Sequence, residues 1–284
     1  LDPRFALARA ELAGAYLLLS FLGLTRPRDG MPKARTAAMQ ALSFDSSLGH
    51  AYWALACVSM LFDREWQQAE KHFRQALLLQ PSDSLARGWY AVYLAYIARQ
   101  LDEALQHARL GESADPLAGW PKVFLGMILL ALRRFGEARA KLQELVELEP
   151  SLWIAQRLLG IALYCEGRNE EAIAAFETAM QLSTRHPWPL AERAAVLAEC
   201  GRPEEAEAVH LELIDRSRRQ YVQPLIIGFL AGALGKADEA FTWFERGLDE
   251  RDGPMCLLRE WPAVGAVLLR RDPRWEALLK RAGL

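Results

Sequence analysis

Small and apolar residues recur along this chain at fixed offsets, and the clearest unit lies between Ser151 and Pro187. It reads Leu159-Gly160, Leu163, Gly167, Glu170-Glu171-Ala172, Phe176 and Ala179, with a break at Ser183-Thr184. The spacing predicts two helices, the first stopping at Gly167, where glycine takes the left-handed conformation that ends a helix at low cost. The second starts at the acidic pair, because carboxylates are stabilised at the positive end of a helix dipole. Ala138, Ala172, Ala206 and Ala240 fall at 34-residue intervals, each after a glutamate. A unit of two helices cannot bury its own apolar face, so a periodic chain of this kind must stack its units side by side.

These spacings resemble the tetratricopeptide repeat (TPR), with its Leu-Gly at Leu159-Gly160, its two alanines at Ala172 and Ala179, and its phenylalanine at Phe176. The resemblance implies an all-α, right-handed superhelical solenoid of about seven helix pairs that binds proteins or peptides. The repeats span 1–46, 47–81, 82–116, 117–150, 151–184, 185–218 and 219–253, and 254–284 forms a C-terminal helical cap. In repeat one, Leu12-Ala13, Tyr16, Ala34, Ala38 and Ala41 fit the pattern. Between its helices Phe21–Pro32 reads as an inserted loop, broken by Pro27, Gly30 and Pro32. Repeats two and three each carry one extra residue near the inter-helix turn, giving 35-residue steps from Ser46 to Pro81 to Pro116. Leu257–Arg270 reads as one further helix and Pro273–Leu284 as a short last one. Leu1-Asp2-Pro3 resembles the repeat end Leu148-Glu149-Pro150, as though an upstream repeat preceded it. Ala237–Glu245 and the tail Arg271-Asp272-Pro273-Arg274-Trp275, Leu278-Leu279, Gly283-Leu284 resemble the end of TPR arrays in bacterial signalling proteins. Those include winged-helix regulators, Ser/Thr kinases and nucleotide cyclases, which implies an interaction or sensory role at the C-terminus of a larger protein.

Composition narrows the partner. Apolar residues make up 52% of the chain, enough for a large core. A net charge of -2 gives no electrostatic reason to expect nucleic acid or an anionic membrane. The charge-free runs Leu12–Thr25 and Gln220–Gly235 are shorter than the roughly 18–20 residues of a spanning helix, so membrane insertion is not expected. Cys57, Cys165, Cys200 and Cys256 lack metal-ligand spacing and read as small hydrophobes in a reducing compartment, which favours a cytoplasmic location. The periplasmic part of a membrane-anchored parent is the alternative. No phosphate loop, His-Glu-x-x-His or Gly-x-Ser-x-Gly occurs, so no enzyme, cofactor or metal site is expected. His72 and His107, 35 apart, lack a third ligand. Glu170-Glu171, Glu204-Glu205 and Asp238-Glu239 are read as helix starts rather than acid–base pairs.

In the TPR pattern the first helices line the concave face. Carried over residue by residue, this implies a peptide-binding surface of Trp53, Cys57, Val92, Tyr96, Trp120, Val123, Met127, Arg157, Ile161, Tyr164, Trp188 and Phe229. A clamp for a partner's terminal carboxylate needs charged donors. Here the relevant position holds Cys57, Val92, Met127, Ile161, Ala195 and Phe229, and Arg157 is the only basic residue of the set. The expected partner is therefore an apolar or amphipathic segment. An apolar small molecule inside the superhelix is the alternative, and the open N-terminal end is a candidate for self-association. A tightly wound superhelix would instead turn the same stripe into its own core.

Overall fold

The computed structural model describes residues 3–284. Leu1 and Asp2, and with them the comparison of Leu1-Asp2-Pro3 to a repeat end, lie outside the described residues. No strand occurs among the described residues. The helices run in pairs joined by short turns: α1 (Pro3–Phe21) with α2 (Pro27–Phe44), α3 (Gly49–Val58) with α4 (Trp66–Leu79), and α5 (Ser84–Tyr93) with α6 (Leu101–Ala114). They continue as α7 (Gly119–Ala131) with α8 (Phe135–Leu148), α9 (Trp153–Cys165) with α10 (Asn169–Leu182), α11 (Pro187–Glu199) with α12 (Pro203–Arg219), and α13 (Pro224–Ala233) with α14 (Ala237–Asp249). Each first helix packs on its partner and on the second helix of the pair before it, which is the stacking of an α-solenoid.

The periodic alanines explain this stacking. Ala138, Ala172, Ala206 and Ala240 are all fully buried, each at the start of a second helix. Gly160 does the same work on α9: a Cβ there would lie 2.8 Å from a ring carbon of Phe176, itself fully buried. The absence of a side chain is what lets that ring pack against the α9 backbone. The turns that end the first helices share one left-handed residue. In the last three full pairs it is Gly167, Gly201 and Gly235, with φ of +76°, +81° and +74° and no neighbour within 4 Å of a Cβ. In the three pairs before them it is Arg64, Arg99 and Arg133, at φ 60°, 58° and 57°. The extra residue of repeats two and three is accommodated just before this position. Ser59–Asp63 and Leu94–Ala98 each form a single wide π-turn, closing on Arg64 and Arg99. An inserted residue enlarges one turn of helix instead of shifting the register of everything after it.

Two expectations are corrected. Phe21–Pro32 is not an inserted loop, because α2 begins at Pro27 and continues through Gly30 and Pro32. Proline is well tolerated at a first helical position. Gly30 is a packing residue, since a Cβ there would lie 2.0 Å from Ser20 Oγ on α1. Leu257–Arg270 is not one helix. A 3₁₀ turn (Gly253–Leu257) leads into irregular chain, then α15 (Ala266–Leu269) and α16 (Arg274–Ala282). Pro262 has no N–H to donate and disfavours helix at Trp261 before it.

The superhelix closes on itself. Trp66 Nε1 of α4 donates to Gly283 O at 2.9 Å, and Arg251 Nη1 donates to Phe62 O at 3.0 Å. Arg28 Nη2 of α2 donates to Asp249 O at 2.6 Å. The first two pairs therefore touch the last pair and the C-terminal segment directly.

Two substitutions separate the two uses of glycine. Gly160→Ala should lower stability by about 1–3 kcal/mol through overpacking against Phe176, despite alanine's better helix propensity. Gly167→Ala should cost about 1 kcal/mol through backbone strain alone. Urea denaturation measures both. Phe176→Ala should cost about 3–5 kcal/mol in the same assay.

Candidate functional site

The first helices turn their apolar faces inward, and between them lies a cavity of about 60 Å³. α7 contributes Trp120, Val123, Phe124 and Met127, and α9 contributes Ile154, Arg157 and Leu158. Trp188, Glu192 and Ala195 come from α11, and Ile226 and Phe229 from α13. Trp89 of α5 and both ends of the chain complete the wall: Phe21 at the end of α1, and Leu257, Trp261 and Val264 of the segment before α15.

Six of the twelve residues expected on the concave face line this cavity: Trp120, Val123, Met127, Arg157, Trp188 and Phe229. The other six lie elsewhere. Trp53 is buried against His50, with ring centroids 4.5 Å apart, and against Gly14 of α1. Cys57, Val92 and Ile161 are buried between helices. Burial pushes the Cys57 thiol well above its ordinary range, so it is not a reactive thiol. Tyr96 is also buried, and its hydroxyl donates to Met127 O at 3.0 Å. Tyr164 is half-buried and donates to Glu199 Oε2 at 2.8 Å.

One ion pair stands in this apolar wall. Arg157 Nε donates to Glu192 Oε2 at 2.8 Å, and Nη2 donates to Oε1 at 2.5 Å, a two-pronged contact. The guanidinium also lies 4.0 Å from the Trp188 ring centroid and 5.5 Å from that of Trp261. Burial raises the Glu192 carboxyl above its ordinary value, and the Arg157 charge pulls it part of the way back. Arg157, the one basic residue of the expected surface, is thus already neutralised by its neighbour. The pair spans α9 and α11, which have little direct contact with each other.

A second polar cluster holds the two ends of the chain together at the cavity wall. The Phe21 ring meets Trp89 and Trp188 edge-on at 5.0 and 5.7 Å. Gln223 Nε2 donates to Phe21 O at 3.1 Å and to Asp252 Oδ1 at 2.9 Å, and its carbonyl oxygen accepts from Trp188 Nε1. His186 Nδ1 accepts from Trp188 N at 3.2 Å, which leaves Nε2 to carry the proton and donate to Leu22 O at 2.9 Å. Burial keeps this imidazole neutral, with its pKa pushed down to about 4. Asp252 is fully buried, and burial pushes its carboxyl up to about 7 against the opposing effects of Gln223 and the Leu225 N–H.

The missed residues share a spacing that was readable. Glu192, Glu199 and Gln223 each answer an expected surface residue 35 positions earlier in the chain, Arg157, Tyr164 and Trp188 respectively. A polar residue on an otherwise apolar helix face, answered 35 positions on, is a signal within the sequence. Nothing local marked Phe21 or Trp261. Among the described residues no cluster of His, Cys, Asp or Glu could hold a metal ion, and no helix is long and apolar enough to cross a membrane. His72 bonds Gln68 while His107 packs on Tyr90 and Arg87, so the two histidines do not meet.

A stacked array of helix pairs with a concave inner wall defines a helical-repeat solenoid. Two tetratricopeptide-repeat family models match the sequence, over residues 125–187 and 163–225, so this stretch consists of tetratricopeptide repeats. A Parabacteroides merdae TPR protein has a similar structure, with a TM-score of 0.59 at 13% identity, covering 97% of this chain and 99% of that one. Yeast Tom70 gives 0.56 at 15% identity over 87% of this chain and 53% of its own. Pseudomonas aeruginosa PilF gives 0.51 at 21% identity over 72% and 92%. At these identities the likeness shows the fold alone. No curated protein matches the sequence significantly.

The buried carboxyl makes a testable contribution to pH dependence. Between its ordinary value of 3.8 and about 7, Asp252 binds a proton in the fold that it has released in the unfolded chain. Its contribution is full below that window and lost as pH rises through 7, by an amount of order 4 kcal/mol. Urea midpoints measured from pH 4.5 to 7.5 should show wild type losing stability relative to Asp252→Asn as pH rises.

Proposed function

We propose that this chain is a non-catalytic protein-interaction scaffold, the C-terminal interaction or sensory part of a larger bacterial signalling protein. Its cavity receives apolar side chains of a partner segment. The observation that carries this reading is the cavity wall itself, made of Trp, Phe, Met and aliphatic side chains with its one ion pair internally neutralised. Aromatic and methionine side chains concentrate binding energy at such surfaces. A helix is about 10–12 Å across, so a space of 60 Å³ admits anchoring side chains and not the partner's backbone. The partner segment would lie across the mouth, with anchors against Trp120, Met127, Trp188 and Phe229. Trp53, Cys57, Val92, Tyr96, Ile161 and Tyr164 serve as the walls that hold these positions. The four cysteines are all free, in keeping with a cytoplasmic setting.

A second reading is supported by the way the cavity is walled. The C-terminal segment supplies Leu257, Trp261 and Val264 to it, so a small apolar molecule would be held by elements from both ends of the chain. Such a molecule would act as a signal by changing how those ends fit together.

Selection from a library of displayed peptides tests the first reading. Selected peptides should share an aromatic or aliphatic anchor and no fixed charge. Met127→Ala and Phe229→Ala should each weaken the best peptide about 5- to 30-fold with far-UV circular dichroism unchanged. Selection of charged peptides indifferent to both substitutions would sink the reading.

A further inference from the structure

We propose that the internal cavity binds one short, uncharged alkyl molecule carrying at most a hydroxyl, and rejects the corresponding carboxylate. The inference rests on the second reading above, that the cavity itself is a small-molecule site, and it names the ligand class.

Three observations carry it. First, of the side chains lining the cavity only Arg157 and Glu192 are ionisable, and each is the other's partner. The guanidinium donates through Nε and Nη2 to the carboxylate while its faces lie against Trp188 and Trp261. Arg157 is the only cation in that wall and Glu192 already balances its charge, so a ligand carboxylate would enter an apolar site as an uncompensated charge and lose its hydration there. Second, the Glu192 carboxylate retains acceptor capacity, since two oxygens offer about four lone-pair positions and Arg157 fills three contacts. A single hydroxyl proton on the ligand has a place to go. Third, a space of about 60 Å³ corresponds to roughly four to six water-sized positions at about 10–15 Å³ each. That limits the ligand to an alkyl chain of about six carbons, its hydroxyl meeting Glu192 at the wall.

The test uses the whole chain and a homologous series: 1-butanol, 1-pentanol, 1-hexanol and hexanoate at pH 7.5. Binding is followed by titration of tryptophan fluorescence, since Trp120, Trp188 and Trp261 line the cavity, and checked by calorimetry. Binding of the alcohols should saturate at one molecule per chain. Affinity should rise about fourfold per added methylene, the equivalent of about 0.8 kcal/mol. Hexanoate should bind at least tenfold more weakly than hexanol.

Two variants address the wall directly. Ala195→Phe should fill the space and abolish hexanol binding; Ala191→Leu serves the same purpose if the first variant does not fold. Glu192→Gln should reverse the selectivity, because Arg157 then lacks its carboxylate and takes the one on hexanoate. Equal binding of hexanol and hexanoate to wild type, no dependence on chain length, or undiminished binding to the filled-cavity variant would each overturn the proposal. If alcohols fail to bind while apolar peptides still do, the small-molecule site is lost and the scaffold reading stands. If neither binds, the cavity is not a binding site of either kind.

Discussion

A helix pair with a broad apolar face has no stable existence alone, and everything in this structure follows from how that face is covered. Each pair is covered by the next, through fully buried alanines that let second helices sit close and through Phe176 lying against the bare backbone at Gly160. Covering proceeds along the chain until it reaches an end. Here the last covering is done across the superhelix rather than along it. Trp66 meets Gly283, Arg251 meets Phe62, and Phe21 inserts between Trp89 and Trp188.

That closure changes what the concave face is. In an open array the inward stripe of aromatic and aliphatic residues is a groove. In this chain half of the stripe is core, and the remainder surrounds a small cavity walled by both ends. The ends are held by backbone carbonyls at Phe21 and Leu22, which accept from Gln223 and His186. Behind them sits the buried Asp252, a group whose charge state responds to pH near neutrality. Packing at this seam therefore depends on a few polar bonds, whereas packing within the array depends on broad apolar contact.

The Arg157–Glu192 pair deserves comparison with an apolar replacement. A buried ion pair is a weak source of stability, because desolvation cancels most of the attraction. Its consequence here is chemical: it removes a free cation from the cavity and leaves a wall that is neutral and mostly carbon. The same pair bridges α9 and α11, neighbouring first helices with little direct contact of their own.

The amino-acid sequence by itself determined the class, the period and most of the register. The 34-residue recurrence of Ala138, Ala172, Ala206 and Ala240, and the glycines that end the first helices, are local and periodic, so they are legible without coordinates. The additional residue in repeats two and three was legible as well, and became the π-turns at Ser59–Asp63 and Leu94–Ala98. Pro27–Pro32 misled, because proline and glycine end helices in one context and start or pack them in another, and only the neighbour at Ser20 distinguishes the two. Which concave residues face a cavity and which are core was decided by tertiary structure alone. That outcome depends on the angle accumulated over seven pairs, and on contacts between residues some 200 positions apart such as Phe21 and Gln223, for which a repeating sequence carries no local signature.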